Sequence, residues 1–552
     1  ILNRVWETAG KSWFPRWQSR FPSLINPVVN TASDEPAEDF ATAHASAMTQ
    51  SHWVRLGYVL IGVMFFFRLA YLASGKIELS EDEAYQWVWS KHLALSYYSK
   101  PPMIAFTQFV GTNLWGDTEL GVRYFAPVIA AVMGLLLLRF FAREVDARAG
   151  FWLLLIVTVT PLLAVGATLM TIDPLSVLFW TAAMLSGWRA VRDDSTRLWL
   201  WTGLWIGLGF LSKYTALFQL LCWAVFFALW KPARPQLRRP GPYLAIIVVA
   251  LCALPVLIWN AQHGWVTVSH LANRGGLQRP WEWQRSISFL RDFLLAETAL
   301  LNPVFFGATV WAALAFWKAR PRDPLAVFLF SMGAPLFLFY AAYTLRSRVH
   351  ANWIAPAVLP LFCLMVLYWH HRWKTGMGSS KRWLTCGLVF GFVAVVLMHD
   401  TNLIAKVAGR PLPPGKDPLV RVRGWRETAR LVGEERKKLL AEGKPVIVIG
   451  DHYGITGLLS FYLPEAKRRV AVDPIVFYQS SDTPENQFFF WPGYRKRKGE
   501  NAIFVQTSKE PAPAPDRIQK QFASVEDMGV RDIIYRGRVI HHIQLFACRG
   551  LR

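Results

Sequence analysis

The segment Ile77–Trp115, IELSEDEAYQWVWSKHLALSYYSKPPMIAFTQFVGTNLW, decides how the rest of the chain is read. It lies between two long apolar runs and gathers acids, aromatics, a lysine and a Pro-Pro pair. Glu81, Asp82 and Glu83 are consecutive acids just beyond an apolar run that ends near Ser74. Tyr97 and Tyr98 precede Lys100, and Pro101-Pro102 keeps the chain from running on as uninterrupted helix, because proline has no N–H and restricts the residue before it. The stretch Pro102–Trp115 is too short to cross a bilayer and predicts a helix lying at the membrane interface.

The surroundings of this segment are those of a membrane protein. Of 552 residues, 53% are hydrophobic, with 27 Trp and 37 Phe. That fraction exceeds the usual share of soluble domains, and the apolar residues come in blocks. Runs of roughly 17–25 apolar residues match a bilayer core of about 30 Å. Eleven such runs start near Leu56, Gly121, Phe151, Pro174, Leu198, Tyr214, Tyr243, Phe293, Leu325, Ala351 and Trp383. The expectation is a polytopic α-helical membrane protein with 11 to 13 spans.

The net charge of +23 would suggest nucleic acid in a soluble protein. Here basic residues collect in loops after alternate runs, from Arg139/Arg143 to Lys381/Arg382. By the positive-inside rule that face is cytoplasmic, and the Ile77–Trp115 loop and the C-terminal region lie outside. Residues 261–291 resist this pattern. They belong outside yet carry Arg274, Arg279, Arg285 and Arg291, so they either oppose the topology or bind an anion. The first 50 residues are polar and lack a signal-peptide pattern, with Met48 the first methionine. They read as a cytoplasmic N-terminal extension, and the first apolar run is expected to serve as the membrane signal. Four of the five cysteines lie inside apolar runs, so neither a disulfide framework nor a CxxC metal spacing exists.

Further polar groups fall on the external side. Arg68, inside the first span, either snorkels to the interface or helps neutralise an anionic ligand. Asp173 stands before Pro174, which is an N-cap pattern, but it also shares a membrane face with Asp82. Lys213 either marks a helix end or points a cation into an external cavity. Arg346, Arg348, His350 and Asn352 cluster between two spans, where arginines can contact lipid phosphates or line a site. His263 and His270 read as surface histidines, since seven residues apart with no matching set is weak metal spacing. Residues 401–552 change composition. Strand-like Pro445–Gly450, Arg469–Val472 and Ala502–Val505 alternate with helical patterns such as Trp425–Leu440, predicting a soluble α/β domain of accessory character. Its VIGDHYG stretch reads as a strand-to-loop edge.

One face thus collects the carboxylates Asp82, Glu83 and Asp173 and the cations Lys100, Lys213, Arg346 and Arg348. Carboxylates can serve as general bases, and cations can hold a phosphate and stabilise it as a leaving group. Aromatics suit sugar rings and the headgroup zone. No Rossmann fingerprint or DxD motif appears, so a lipid-linked phosphosugar is the natural donor.

The segments DEAYQWVWSKHLALSYYSKPP, LWGDTELGVRYFAPV, TIDPLSVLFW and LSKYTALF resemble those of glycosyltransferase families 39 and 83, over about residues 55–400. These are polyprenyl-phosphate-dependent enzymes of the protein mannosyltransferase and lipid A aminoarabinose transferase type. The resemblance implies a GT-C architecture across residues 51–400, with the external catalytic loop at 75–120 and residues 401–552 as a periplasmic or extracellular domain. It implies inverting transfer of a hexosyl or pentosyl group from a polyprenyl phosphate to lipid A, lipopolysaccharide, another glycan or protein, at the outer face of the bacterial inner membrane. It makes Asp82 the catalytic carboxylate with Glu83 in support, and Asp173 the second acid. Lys100, Lys213, Arg346 and Arg348 would hold the donor phosphate. Tyr85, Tyr97, Tyr98, His350 and Asn352 would line the substrate. Ser99 stands where aminoarabinose transferases place an acid, which weakens that substrate and any divalent cation such an acid would hold. No metal ligands and no cofactor are assigned, and nucleic acid is not a partner. The competing reading is a transporter or flippase of lipid-linked sugars, which calls for inverted repeats and mid-span charges.

Overall fold

The computed structural model describes residues 36–275, 282–320, 322–374 and 379–552, with side chains from residue 49 onward. Every one of the eleven predicted runs is helical. Among the described residues, six helices are individually long and apolar enough to cross a membrane: Thr49–Ala73, Glu119–Glu144, Pro240–Gln262, Pro324–Tyr343, Ala351–Lys374 and Ser379–His399. Two bent pairs bring the number to as many as eight. One of these replaces the straight span expected from Phe293. Helices Trp283–Leu300 and Pro303–Lys318 meet at 110°. The bend falls where Asn302 takes positive φ and caps the second helix ahead of Pro303, which cannot donate to a continuing helix. The bundle core is aromatic, with Trp180, Trp223, Phe226 and Phe328 packed between helices.

The loop helix Glu81–Ser90 starts at Ser80, whose hydroxyl and backbone N–H engage Glu83 in a capping box. The interfacial helix is present as Met103–Trp115.

Residues 446–551 contribute a five-stranded sheet: β1 Val446–Gly450, β2 Val476–Tyr478, β3 Asn501–Thr507, β4 Phe522–Tyr535 and β5 Arg538–Leu551. Its order is β2-β1-β3-β5-β4, parallel across the first three and antiparallel in the β4–β5 hairpin. The hairpin turns at Arg536-Gly537, both at positive φ, as a tight turn requires. The strand expected at Arg469–Val472 is absent. Helix Pro464–Arg469 runs into a turn there, and the strand forms instead at Val476–Tyr478, where the side chains reach the core.

This domain shares its core with the loop. Leu79, Ala84, Trp87 and Val88 pack with Trp425, Val448, Ile455 and Leu458, and the Trp87 ring meets Phe461 at 4.9 Å. Helix Tyr453–Tyr462 lies directly on helix Glu81–Ser90. A Cβ on Gly457 would stand 2.7 Å from the Tyr85 backbone nitrogen, and one on Gly454 would meet the Glu81 side chain at 2.6 Å. Only glycine permits so close an approach of the two helices.

Candidate active site

Asp82 and Glu83 leave the first turn of helix Glu81–Ser90 toward different surroundings. Glu83 is fully buried and doubly bonded to Arg123, whose Nε and Nη2 donate to its two oxygens at 2.7 Å each. The Ser80 and Met170 backbone N–H groups also donate to it, at 3.0 Å each. Burial opposes its ionisation, but the Arg123 guanidinium and these donors outweigh burial and hold it below the usual carboxylate range. Every acceptor site of Glu83 is thus occupied by the fold. Asp82 is exposed, and the Tyr453 hydroxyl of the C-terminal domain donates to its Oδ1 at 3.4 Å.

Asp173 is not the N-cap of its helix. Thr171 fills that place and accepts from the Asp173 N–H. The Asp173 carboxylate is left free to receive Lys213 Nζ at 2.7 Å and Asn352 Nδ2 at 2.7 Å. Three predicted site residues from separate elements therefore meet at one carboxylate. Lys213 arrives there neutralised rather than as a free cation.

Lys100 makes no ion pair with a described residue. Burial, then Arg274 and Lys213, lower its pKa to about 8, with Asp82 and Asp173 opposing. His350 lies in the same field. Burial and the charges of Arg274, Arg348, Arg421 and Lys100 all push its pKa down. None of these four cations has a described carboxylate partner, and together they form a basic cluster whose field overlaps that of Asp82 and Asp173 and suits an anion. The charge of Arg346 acts on Tyr343.

The predicted lining tyrosines separate in the same way. Tyr97 is core: it stacks on Trp89 at 4.5 Å and its hydroxyl donates to the Trp89 and His92 carbonyls. Tyr85 and Tyr98 fasten the C-terminal domain to the loop. The Gln487 N–H donates to Tyr85 Oη at 2.6 Å, and the Tyr98 N–H donates to Gln487 Oε1 at 2.7 Å. The Tyr85 ring lies 4.7 Å from that of Tyr453.

The arginines that break the charge pattern divide. Arg285 pairs with Glu282 and Arg291 with Asp292, while Arg274 points its charge at Lys100 and His350. Arg279 lies outside the described residues. His270 is half-buried against Tyr98, with ring centroids 4.7 Å apart, rather than a surface residue. Among the described residues no group of three or more His, Cys, Asp or Glu stands close enough to hold a metal.

Tyr453 and Arg421 were not among the residues singled out from sequence, and Arg274 was not placed with the donor-phosphate cations. The signal for Arg274 was its place in a loop that broke the charge rule. Tyr453 sits in VIGDHYG, which no spacing connects to Asp82. The C-terminal domain therefore meets the candidate site through Tyr453.

Residues 99–259 match the family model described as dolichyl-phosphate-mannose-protein mannosyltransferase. The chain is 26% identical over 420 residues to a lipid A galacturonosyltransferase of Rhizobium johnstonii, covering 75% of this chain and 84% of that one. It is 27% identical over 314 residues to an undecaprenyl phosphate-alpha-4-amino-4-deoxy-L-arabinose arabinosyl transferase of Pseudomonas savastanoi pv. phaseolicola. That match covers 54% of this chain and just over half, 56%, of the relative. The fold is similar to that of ArnT from Cupriavidus metallidurans in the apo state, with TM-score 0.56 and 15% identity, over 90% of this chain and 98% of the other. The same protein bound to undecaprenyl phosphate matches with TM-score 0.54 and 16% identity, over the same shares.

Proposed function

We propose that this chain, a multi-pass membrane glycosyltransferase of GT-C fold carrying the mannosyltransferase-family domain, moves a sugar from a polyprenyl phosphate to a cell-envelope lipid at the outer face of the inner membrane. The observation that carries this reading is the cluster of Lys100, Arg274, Arg348 and Arg421, unpaired with any described carboxylate, with the Asp82 charge acting on Lys100. A lipid-linked phosphosugar brings the phosphate that such a cluster lacks. The arabinosyl transferase relatives are named for undecaprenyl phosphate donors and the Rhizobium relative for lipid A, which favours lipid A as acceptor.

The acceptor oxygen attacks the anomeric carbon on the face opposite the phosphate. The bond from that carbon to the phosphate oxygen breaks, and its electron pair leaves with the polyprenyl phosphate. Lys100, Arg274 and Arg348 stabilise the charge that collects there. Where the acceptor is a hydroxyl, Asp82 takes its proton, and Tyr453 holds that carboxylate in place. Glu83, locked by Arg123, positions Asp82 through the helix and does not touch substrate. Asp173 orders Lys213 and Asn352 at the edge of the site.

The polar groups gather at one end of the bundle, which favours a transferase over a flippase path. The test uses purified protein with short-chain polyprenyl-phosphate sugars in detergent, and mass spectrometry of released polyprenyl phosphate. Release by wild type that is lost in Asp82→Asn and Lys100→Ala is the expected result. Release undiminished in both variants overturns the residue roles. No release by wild type from any donor, with envelope lipids supplied, returns the flippase.

A further inference from the structure

We propose that the seam between the first and last spans is a binding site for the phosphate of a membrane lipid, with Arg68 as its anion-binding residue. Both helices lie at the edge of the bundle. Only 11% of the most apolar window of Thr49–Ala73 is buried inside the protein, and 17% of that of Ser379–His399. On the first of these, Phe66 and Phe67 face outward, 69% and 56% exposed, whereas Arg68 is 9% exposed and faces the seam. One turn further on, the Tyr71 hydroxyl donates to the His399 carbonyl at 2.9 Å, and the two rings meet edge-on at 5.1 Å. The face that carries Arg68 is therefore the face applied to the end of the last span, and its charge reaches His399.

No described residue accepts a hydrogen bond from Arg68 or pairs with it. The acids of this corner are committed elsewhere: Asp400 and Asp417 stand 3.9 and 3.4 Å from Arg423. A second donor there is also unfilled, since the buried Arg423 Nε has no partner. A guanidinium turned away from water and without a counter-ion is costly in an apolar seam. The ligand that removes this cost must be an anion and must reach the seam from the bilayer. Arg68 lies five residues before Ala73, about 7.5 Å below the helix end at ~1.5 Å per residue. That depth is within reach of a headgroup phosphate, and the guanidinium fork matches phosphate oxygens in pairs. Arg68 is not among the strongest influences on Lys100, and its binding of a lipid phosphate does not depend on the proposed transfer.

The test is native mass spectrometry and thermal melting of the full-length protein in detergent, with phosphatidylglycerol or inorganic phosphate added, for wild type, Arg68→Met and Arg68→Lys. The wild type should retain one phospholipid after detergent exchange and melt at higher temperature with added phosphatidylglycerol. Arg68→Met should bind it about tenfold or more weakly, the loss expected for removing charged hydrogen bonds. Arg68→Lys should fall between the two and decides the matter if Arg68→Met does not fold. Equal lipid retention in wild type and either variant overturns the site. Stabilisation by inorganic phosphate to the same degree as by the lipid overturns its assignment to a membrane lipid.

Discussion

The two faces of helix Glu81–Ser90 carry neighbouring carboxylates with opposite fates. On the inward face, Glu83 is sealed against Arg123 with three further donors around it, the Ser80 N–H and hydroxyl and the Met170 N–H. On the outward face, Asp82 meets one tyrosine and an array of cations. A buried ion pair with complete hydrogen bonding holds geometry but has no lone pair left for chemistry. An exposed carboxylate beside unpaired cations has the reverse character. What separates structure from chemistry here is one step along a helix, which turns the side chain by about 100° at 3.6 residues per turn.

The largest effect should come from breaking the outward face. Asp82→Asn should lower turnover on a hydroxyl acceptor by roughly 10²–10⁴-fold, the span typical of general-base loss, and leave the melting temperature unchanged. Breaking the inward face should do the opposite. Glu83→Gln leaves Arg123 buried without its counter-charge and should cost about 3–5 kcal/mol, read as a lower melting temperature and poor yield. If the two variants proved alike in both measurements, the contrast would fail.

The third probe sharpens the outward face by pH. With the Lys100 pKa lowered to about 8 by burial and then Arg274, the ammonium that holds phosphate is lost as pH rises through that value. Donor KM should therefore increase above about pH 8, and Lys100→Arg should remove this limb. Stability of the free protein has the other sign. Between about 8 and the ordinary lysine value of 10.5, the unfolded chain binds more protons at Lys100, so stability should rise with pH across that window. The smallest effect belongs to Tyr453→Phe. It removes one hydrogen bond to Asp82, worth about 1 kcal/mol, and should lower kcat several-fold with donor KM unchanged.

Much of the fold was legible because a bilayer imposes a local rule. A helix that crosses it must be long and apolar, and its flanking charges report its side. All eleven runs form helix, but among the described residues only six helices, or up to eight with bent pairs, are long and apolar enough to cross. The β1 and β3 strands were legible for a similar reason, being continuous apolar runs buried on both faces. The long β4 was not, because FASVEDMGVRDIIY is largely exposed and interrupted by a bulge at Gly529. The helical bend at Asn302 was also hidden, since an Asn-Pro pair inside an apolar run reads equally as a tolerated kink.

In the candidate site, residue types and their gathering at one end of the bundle were legible and partnership was not. From sequence alone, Asp82 and Glu83 are equivalent acids, Tyr97 and Tyr98 equivalent aromatics, and Lys213 an unassigned cation. Tertiary structure decided that Glu83 and Tyr97 are core, that Lys213 is paired with Asp173, and that Tyr453, 371 residues downstream, faces Asp82. By itself the sequence determined the membrane architecture, the face on which polar groups gather and the class of lipid phosphate chemistry they suit. Those features depend on composition and local periodicity, which each segment carries within itself. Which charges cancel and which remain free depends on distances between segments far apart in the chain, and only packing sets those.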